Sequence, residues 1–204
     1  MNKKEDPVMA KRFENYESIC HELENQKYNK SKSTISFLKA NIMAFVTSGP
    51  VAVILFIIYF CVNIKTSENL TFKTYFEIMA ALLVSIPVHE GIHGIFFALF
   101  CKKHFKSIEF GIVWKNLTPY CHCKEPLSIL QYYIALLAPM LFLGIIPSVI
   151  AIVAGNLFLL AIGLINILMA GGDFTIAFLL LKYIGKKVKI IDHPIECGCV
   201  IFER

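Results

Sequence analysis

The sequence predicts an all-α polytopic membrane protein. It has four transmembrane helices, both termini in the cytosol, and a short cytosolic β-hairpin after the second helix. Three observations carry this. Charged residues make up only 17% of the chain and hydrophobic residues 56%, where a soluble domain carries about 25% charged residues. Four apolar runs are each long enough to cross a bilayer, which takes about 20 residues. Lysines gather beside the ends of those runs.

The elements follow in chain order. Residues 1–40 are a charged cytosolic segment. Within it Met9, Phe13, Tyr16, Ile19, Cys20 and Leu23 recur at helical spacing, so a short amphipathic helix is expected, lying on the protein or the membrane. The first apolar run starts only near Asn41, so no signal peptide is expected. Residues 41–184 form the membrane domain, with spans at 42–64, 78–100, 127–154 and 157–184. Spans three and four are joined by "AGN" alone, which requires a tight antiparallel hairpin.

Orientation comes from the lysines. Lys30, Lys32 and Lys39 precede the first span, and Lys102, Lys103 and Lys106 follow the second. Lys182, Lys186, Lys187 and Lys189 close the fourth. The loop Lys65–Glu77 has two lysines and two glutamates, and the loop between spans three and four has no charge. The positive-inside rule then places both termini in the cytosol. With these lysines at span ends, the net charge of +5 marks topology and not a nucleic-acid surface.

Two cytosolic segments read as extended. In the loop 105–125, Ile108, Phe110, Ile112 and Trp114 alternate, Lys115–Asn116 supplies a turn, and Pro119 confines the returning strand to an edge. In the tail 185–204, two β-rich runs flank "DHP" as a second hairpin. The seven cysteines are scattered and do not read as a disulfide framework. "CHC" (Cys121–Cys123) and "CGC" (Cys197–Cys199) are weak candidates for a second thiolate metal site, since that spacing is not the usual one for zinc.

The second span contains "HEGIH". His89 and His93 are four residues apart and share one helical face, so both imidazoles can reach one zinc ion. Glu90, one residue on, suits a base that takes a proton from water at the metal. Ionisable side chains inside a membrane cost about 2.5–3.5 kcal/mol at a helix centre and ordinarily mark function. Buried histidines hydrogen-bonded to neighbouring helices are the structural alternative.

A catalytic zinc needs a third protein ligand with one position left open. Asp173 in "NILMAGGDF" is the only acidic residue between Glu125 and Asp192. Spans two and four run in the same direction. His93 lies nine residues before Lys102 and Asp173 nine before Lys182. At 1.5 Å per residue both sit about 13 Å above the cytosolic lysines. Gly171 and Gly172 suit either local unwinding that aims Asp173 or plain helix packing. Asn166, two turns earlier, is placed to hold substrate backbone or an oxyanion, or to bridge two helices. Pro87 is a candidate kink that admits water or substrate.

From Phe76 onward the chain resembles the site-2-protease class of intramembrane metalloproteases. It looks more closely like the putative zincin peptidase family of small bacterial membrane proteins. The resemblance rests on "HEGIH", the hairpin-like loop after it, and the Asn166–Asp173 segment two spans later. It implies zinc held by His89, His93 and Asp173, with Glu90 and Asn166 as catalytic residues. It also implies a hairpin that presents substrate as an added strand through Ile108, Phe110 and Ile112 of Ser107–Tyr120. The usual segment carries a proline and ends in Asp-Gly. Here there is no proline, and the glycines precede the aspartate.

The leading expectation is a membrane-embedded zinc metallopeptidase in the bacterial plasma membrane. It would cut membrane proteins or peptides near the cytosolic face. The lipid bilayer is its solvent, nucleic acid is no partner, and a homo-oligomer stays open. A metal-stabilised scaffold or regulator without catalysis, or a metal transporter, would use the same ligands.

Overall fold

All four apolar runs are helical, and the last one is broken. The computed structural model describes residues 7–64, 71–114 and 118–204. The turn expected at Lys115–Asn116 lies outside them. Helices α1 (Pro7–Asn25), α2 (Phe37–Val62) and α3 (Phe72–Phe100) come first, with strand β1 (Asn29–Ile35) between α1 and α2. The hairpin β2 (Ile108–Val113) and β3 (Thr118–Cys123) follows, then β4 (Leu127–Ser128). After them come α4 (Ile129–Pro139), α5 (Ile146–Ala154), α6 (Leu157–Met169), α7 (Gly171–Leu180), β5 (Val188–Asp192) and β6 (Cys197–Glu203).

By length and composition α2, α3 and the continuous stretch Ile129–Ala154 can each cross a membrane. A fourth crossing results if Leu157–Met169 and Gly171–Tyr183, bent by 49°, count as one span. These helices are consistent with a membrane protein. α2 exposes Ile42, Phe45, Val46, Val53, Ile54 and Ile57. Such a face is unfavourable in water and compatible with lipid.

Helix limits differ from the expected spans because hydropathy does not set them. α3 starts at Phe72, where Lys73 and Glu77 pair at 3.6 Å one turn apart, an arrangement that supports an exposed helical turn. Inside the third span, Met140–Ile145 is a π-helical segment just before Pro147. Pro147 has no N–H to give the α-helical partner Leu143, and the wider turn takes up that break.

The chain forms two compact units. One comprises residues 40–93 and 136–178. In it α5 reverses into α6 through Gly155 in the left-handed region (φ 67°), and the Asn156 side chain caps α6 by accepting from the Leu159 N–H at 2.8 Å. Gly163 lets the two helices close: a Cβ there would meet the Ser148 backbone nitrogen of α5 at 3.0 Å. The α6–α7 bend falls at Ala170, which leaves helical geometry (ψ 4°). The next residue, Gly171, lies so close to α2 that a Cβ would meet the Ala44 carbonyl oxygen and Ser48 Oγ, each at 2.8 Å.

The other unit comprises residues up to 39, 94–135 and 179–204. Its centre is an antiparallel sheet in the order β1-β6-β5-β4. The tail hairpin is present as β5–β6, with Asp192 opposite Cys199. The all-α expectation therefore needs correction by a four-stranded sheet. β1 was not expected because "NKSKSTI" is a polar edge strand with no apolar alternation until its end. Along its whole length it pairs with β6. α1 covers the sheet, with Cys20 and Leu23 against Ile191, Val200 and Phe202. β2 and β3 pair separately, with Ile108 opposite Cys123 and Ile112 opposite Pro119.

Candidate metal centre

α3 carries His89, Glu90 and His93 on an unbroken helix, so Pro87 does not end it. His89 and His93 are one turn apart, and their rings meet edge-on with centroids 4.9 Å apart. Both are buried. Asp173 stands in the first turn of α7, where the exposed N–H groups and the helix dipole favour a carboxylate. The bend at Ala170 and the close fit of Gly171 against α2 set the start of that helix.

These residues converge. His89 Nε2 lies 3.1 Å from Asp173 Oδ2, and His93 Nε2 lies 3.3 Å from the same oxygen. Their possible ligand atoms all lie within 4.8 Å of one another. Among the described residues this is the one group of three or more His, Cys, Asp or Glu side chains gathered so closely. The "CHC" and "CGC" segments form no comparable cluster there. Residues 82–186, half of the chain, match the family model described as "Putative zincin peptidase".

The chain belongs to that family.

No curated protein and no solved structure matches it. Membership in the zincin peptidase family supports metallopeptidase activity and zinc as the metal. The residues fit such an ion. Two imidazole nitrogens and one carboxylate oxygen are a donor set for catalytic zinc with an open position.

The other expected site residues are distributed as follows. Glu90 is half-buried, directly after His89. Asn166 is 1% exposed and lies in the last turn of α6. Its Nδ2 donates to the Ile162 carbonyl at 2.9 Å and to Ser85 Oγ at 3.3 Å. A carbonyl only accepts, so the atom facing Ile162 is the nitrogen. Asn166 Oδ1 is then buried without a hydrogen-bond partner among the described residues. Ser85, one turn before His89, was not singled out in the sequence. An apolar run with a serine gives no signal beyond its i−4 spacing from a ligand. Ile108, Phe110 and Ile112 sit on β2 in the other unit. Ile108 is buried, while Phe110 and Ile112 are exposed. The Phe110 ring packs on Gly94, the residue after His93, where a Cβ would meet Phe110 Cε1 at 2.9 Å.

Gly91 follows Glu90 and Gly172 precedes Asp173, and a Cβ on either glycine would meet nothing within 4 Å.

The sequence also gave no sign of the polar hub at Asp192. Its Oδ2 accepts from the Cys123 N–H at 2.7 Å and its Oδ1 from Tyr132 Oη at 2.6 Å. His122 Nδ1 lies 3.8 Å from the same carboxylate. Burial holds the His122 imidazole below its ordinary pKa, despite the opposing pull of Asp192.

Proposed function

We propose that this protein is a membrane-embedded zinc metallopeptidase acting on membrane-associated substrates near the cytosolic face. The convergence of His89, His93 and Asp173 beside Glu90 on an apolar helix is the observation that carries it. The lysines at the span ends support the orientation. Zinc, when bound, would acidify a water and polarise the scissile carbonyl.

The protein's own residues do the rest. His89, His93 and Asp173 hold the ion. The Glu90 carboxylate takes a proton from the attacking water and delivers it to the leaving nitrogen. Asn166 Oδ1, buried and without a partner among the described residues, accepts a hydrogen bond from a substrate backbone N–H once the substrate opens a path to it. Because Nδ2 is already committed to Ile162 and Ser85, this role is favoured over donation to an oxyanion. Among the described residues β2 pairs with β3 alone, and its other side offers the substrate a strand to pair with, through Ile108, Phe110 and Ile112.

The test is Glu90→Gln in protein reconstituted with a panel of single-span membrane substrates. Zinc is retained and cleavage falls by about 10²–10⁴-fold. Cleavage at the wild-type rate by a zinc-loaded variant would sink the mechanism.

A further inference from the structure

Cys101 directly follows the helix that carries His89 and His93, and Cys123 ends β3. Their sulfurs lie 3.3 Å apart, and the two residues are 3% and 2% exposed. Neither thiol has a role in the metal centre. Both are held in place by their surroundings. The Cys123 N–H donates to Asp192 at 2.7 Å. On the Cys101 side, Glu125 accepts from the backbone N–H groups of Lys102 and Lys103 at 2.8 and 3.1 Å. The hairpin β2–β3 lies within the chain segment that begins and ends with these two cysteines.

We propose that Cys101 and Cys123 are an oxidisable dithiol whose disulfide fastens the β2–β3 hairpin to the end of α3. The sulfurs need to approach by only about 1.3 Å to reach bonding distance. The pair is asymmetric. The contact between the sulfurs draws the Cys101 thiol below its ordinary pKa, while the same contact and burial push Cys123 up. Cys101 is therefore the attacking sulfur and Cys123 the resolving one.

With a hydroperoxide as oxidant, the Cys101 thiolate attacks the terminal peroxide oxygen. The O–O bond breaks, and Cys101 becomes a sulfenic acid. For hydrogen peroxide the leaving oxygen departs as water, carrying the thiol proton. Cys123 then attacks the Cys101 sulfur, the S–S bond forms, and the sulfenic oxygen leaves as a second water. Two thiols and one hydrogen peroxide thus give one disulfide and two waters. A cytosolic dithiol rests in the reduced state, so the disulfide is a transient response and reverses by exchange with small thiols.

The test uses the whole protein in detergent, reduced, freed of reductant and exposed to hydrogen peroxide. Alkylation, digestion and mass spectrometry then map the thiols. The expected product is a peptide pair joined through Cys101 and Cys123, two hydrogens lighter than the thiols and separated again by dithiothreitol. The same product is expected from a Cys61→Ser, Cys121→Ser, Cys197→Ser variant, which removes the more accessible cysteines. In the oxidised protein, hydrogen exchange at the amides of 108–123 slows about tenfold, and Cys123→Ala abolishes that slowing. Recovery of both cysteines as separate alkylated or over-oxidised peptides would overturn the dithiol. A disulfide that leaves exchange in the hairpin unchanged would overturn the fastening. The mapping on wild-type protein decides the first point even if Cys123→Ala fails to fold.

Discussion

His93 on α3 and Asp173 on α7 meet at 3.3 Å, between Nε2 and Oδ2, although the whole of α4, α5 and α6 separates them in the chain. His89 reaches the same oxygen from one turn earlier. A purified preparation should therefore hold about one zinc per chain. Asp173→Ala should lower zinc affinity by about 100-fold or more, because two imidazoles alone fall short of the three protein ligands of a catalytic zinc. Elemental analysis after dialysis against a weak chelator reads this directly. Equal zinc in wild type and variant would show that Asp173 is not a ligand.

Asn166 separates stability from activity. Its Oδ1 is buried without a partner among the described residues, and an unsatisfied buried acceptor costs about 1–3 kcal/mol. Asn166→Ala removes that penalty along with the bonds to Ile162 and Ser85, so thermal stability in detergent should change by no more than about 1 kcal/mol. Peptide cleavage should fall by about tenfold, the loss of one hydrogen bond to the substrate backbone. Ser85→Ala leaves the Ile162 bond intact and should have the smaller effect on cleavage. A variant at Asn166 that melts much earlier yet cleaves normally would assign the residue to packing alone.

Gly171 and Gly172 are adjacent but should respond oppositely to the same change. A Cβ on Gly171 would press on the backbone oxygen of Ala44 at 2.8 Å, whereas one on Gly172 meets nothing within 4 Å. Gly171→Ala should destabilise by about 1–3 kcal/mol through forced separation of α2 and α7. Gly172→Ala should be neutral or stabilising by up to about 1 kcal/mol through better helix propensity. Thermal melts of the two variants in one detergent make the comparison. Equal losses would mean that α2 does not approach α7 as described.

Much of this was legible in the sequence for specific reasons. The proximity of His93 and Asp173 could be read because each lies nine residues before a lysine, on spans that the lysine pattern expects to run in the same direction. The reversal at Gly155–Asn156 could be read because a three-residue connection permits little else. Other features left no periodic trace. β1 is polar and pairs across the whole chain with β6, so alternation does not reveal it. The break between α6 and α7 falls beside Gly171–Gly172, where local unwinding is one of two readings, and hydropathy along the run does not choose between them. Ser85, Asp192 and the contact of Cys101 with Cys123 arise from long-range packing between single residues, which spacing along the chain does not encode.

Arg12 and Glu109 give a pH dependence to the seat of α1. Arg12 Nε donates to Glu109 Oε1 at 3.1 Å and Nη1 to the Pro194 carbonyl at 3.2 Å. Burial alone would raise the Glu109 carboxyl, but the Arg12 guanidinium more than offsets it, with Lys124 adding to the effect, and holds it below the usual carboxylate range. A carboxyl depressed in the folded state stabilises fully above its unfolded pKa. That contribution is lost as pH falls through the lower, folded value. Acidification below the ordinary carboxylate pKa should therefore loosen α1 from the β2–β3 hairpin. Protection of the amides along Pro7–Asn25, taken as the intrinsic rate at each pH over the observed rate, should fall over that window in wild type. Glu109→Gln should show lower protection already at neutral pH and no further fall in acid. Arg12→Ala should cost about 1.5–3 kcal/mol of local stability at neutral pH. Exchange in α1 that follows the same acid profile in Glu109→Gln as in wild type would assign the dependence to another group.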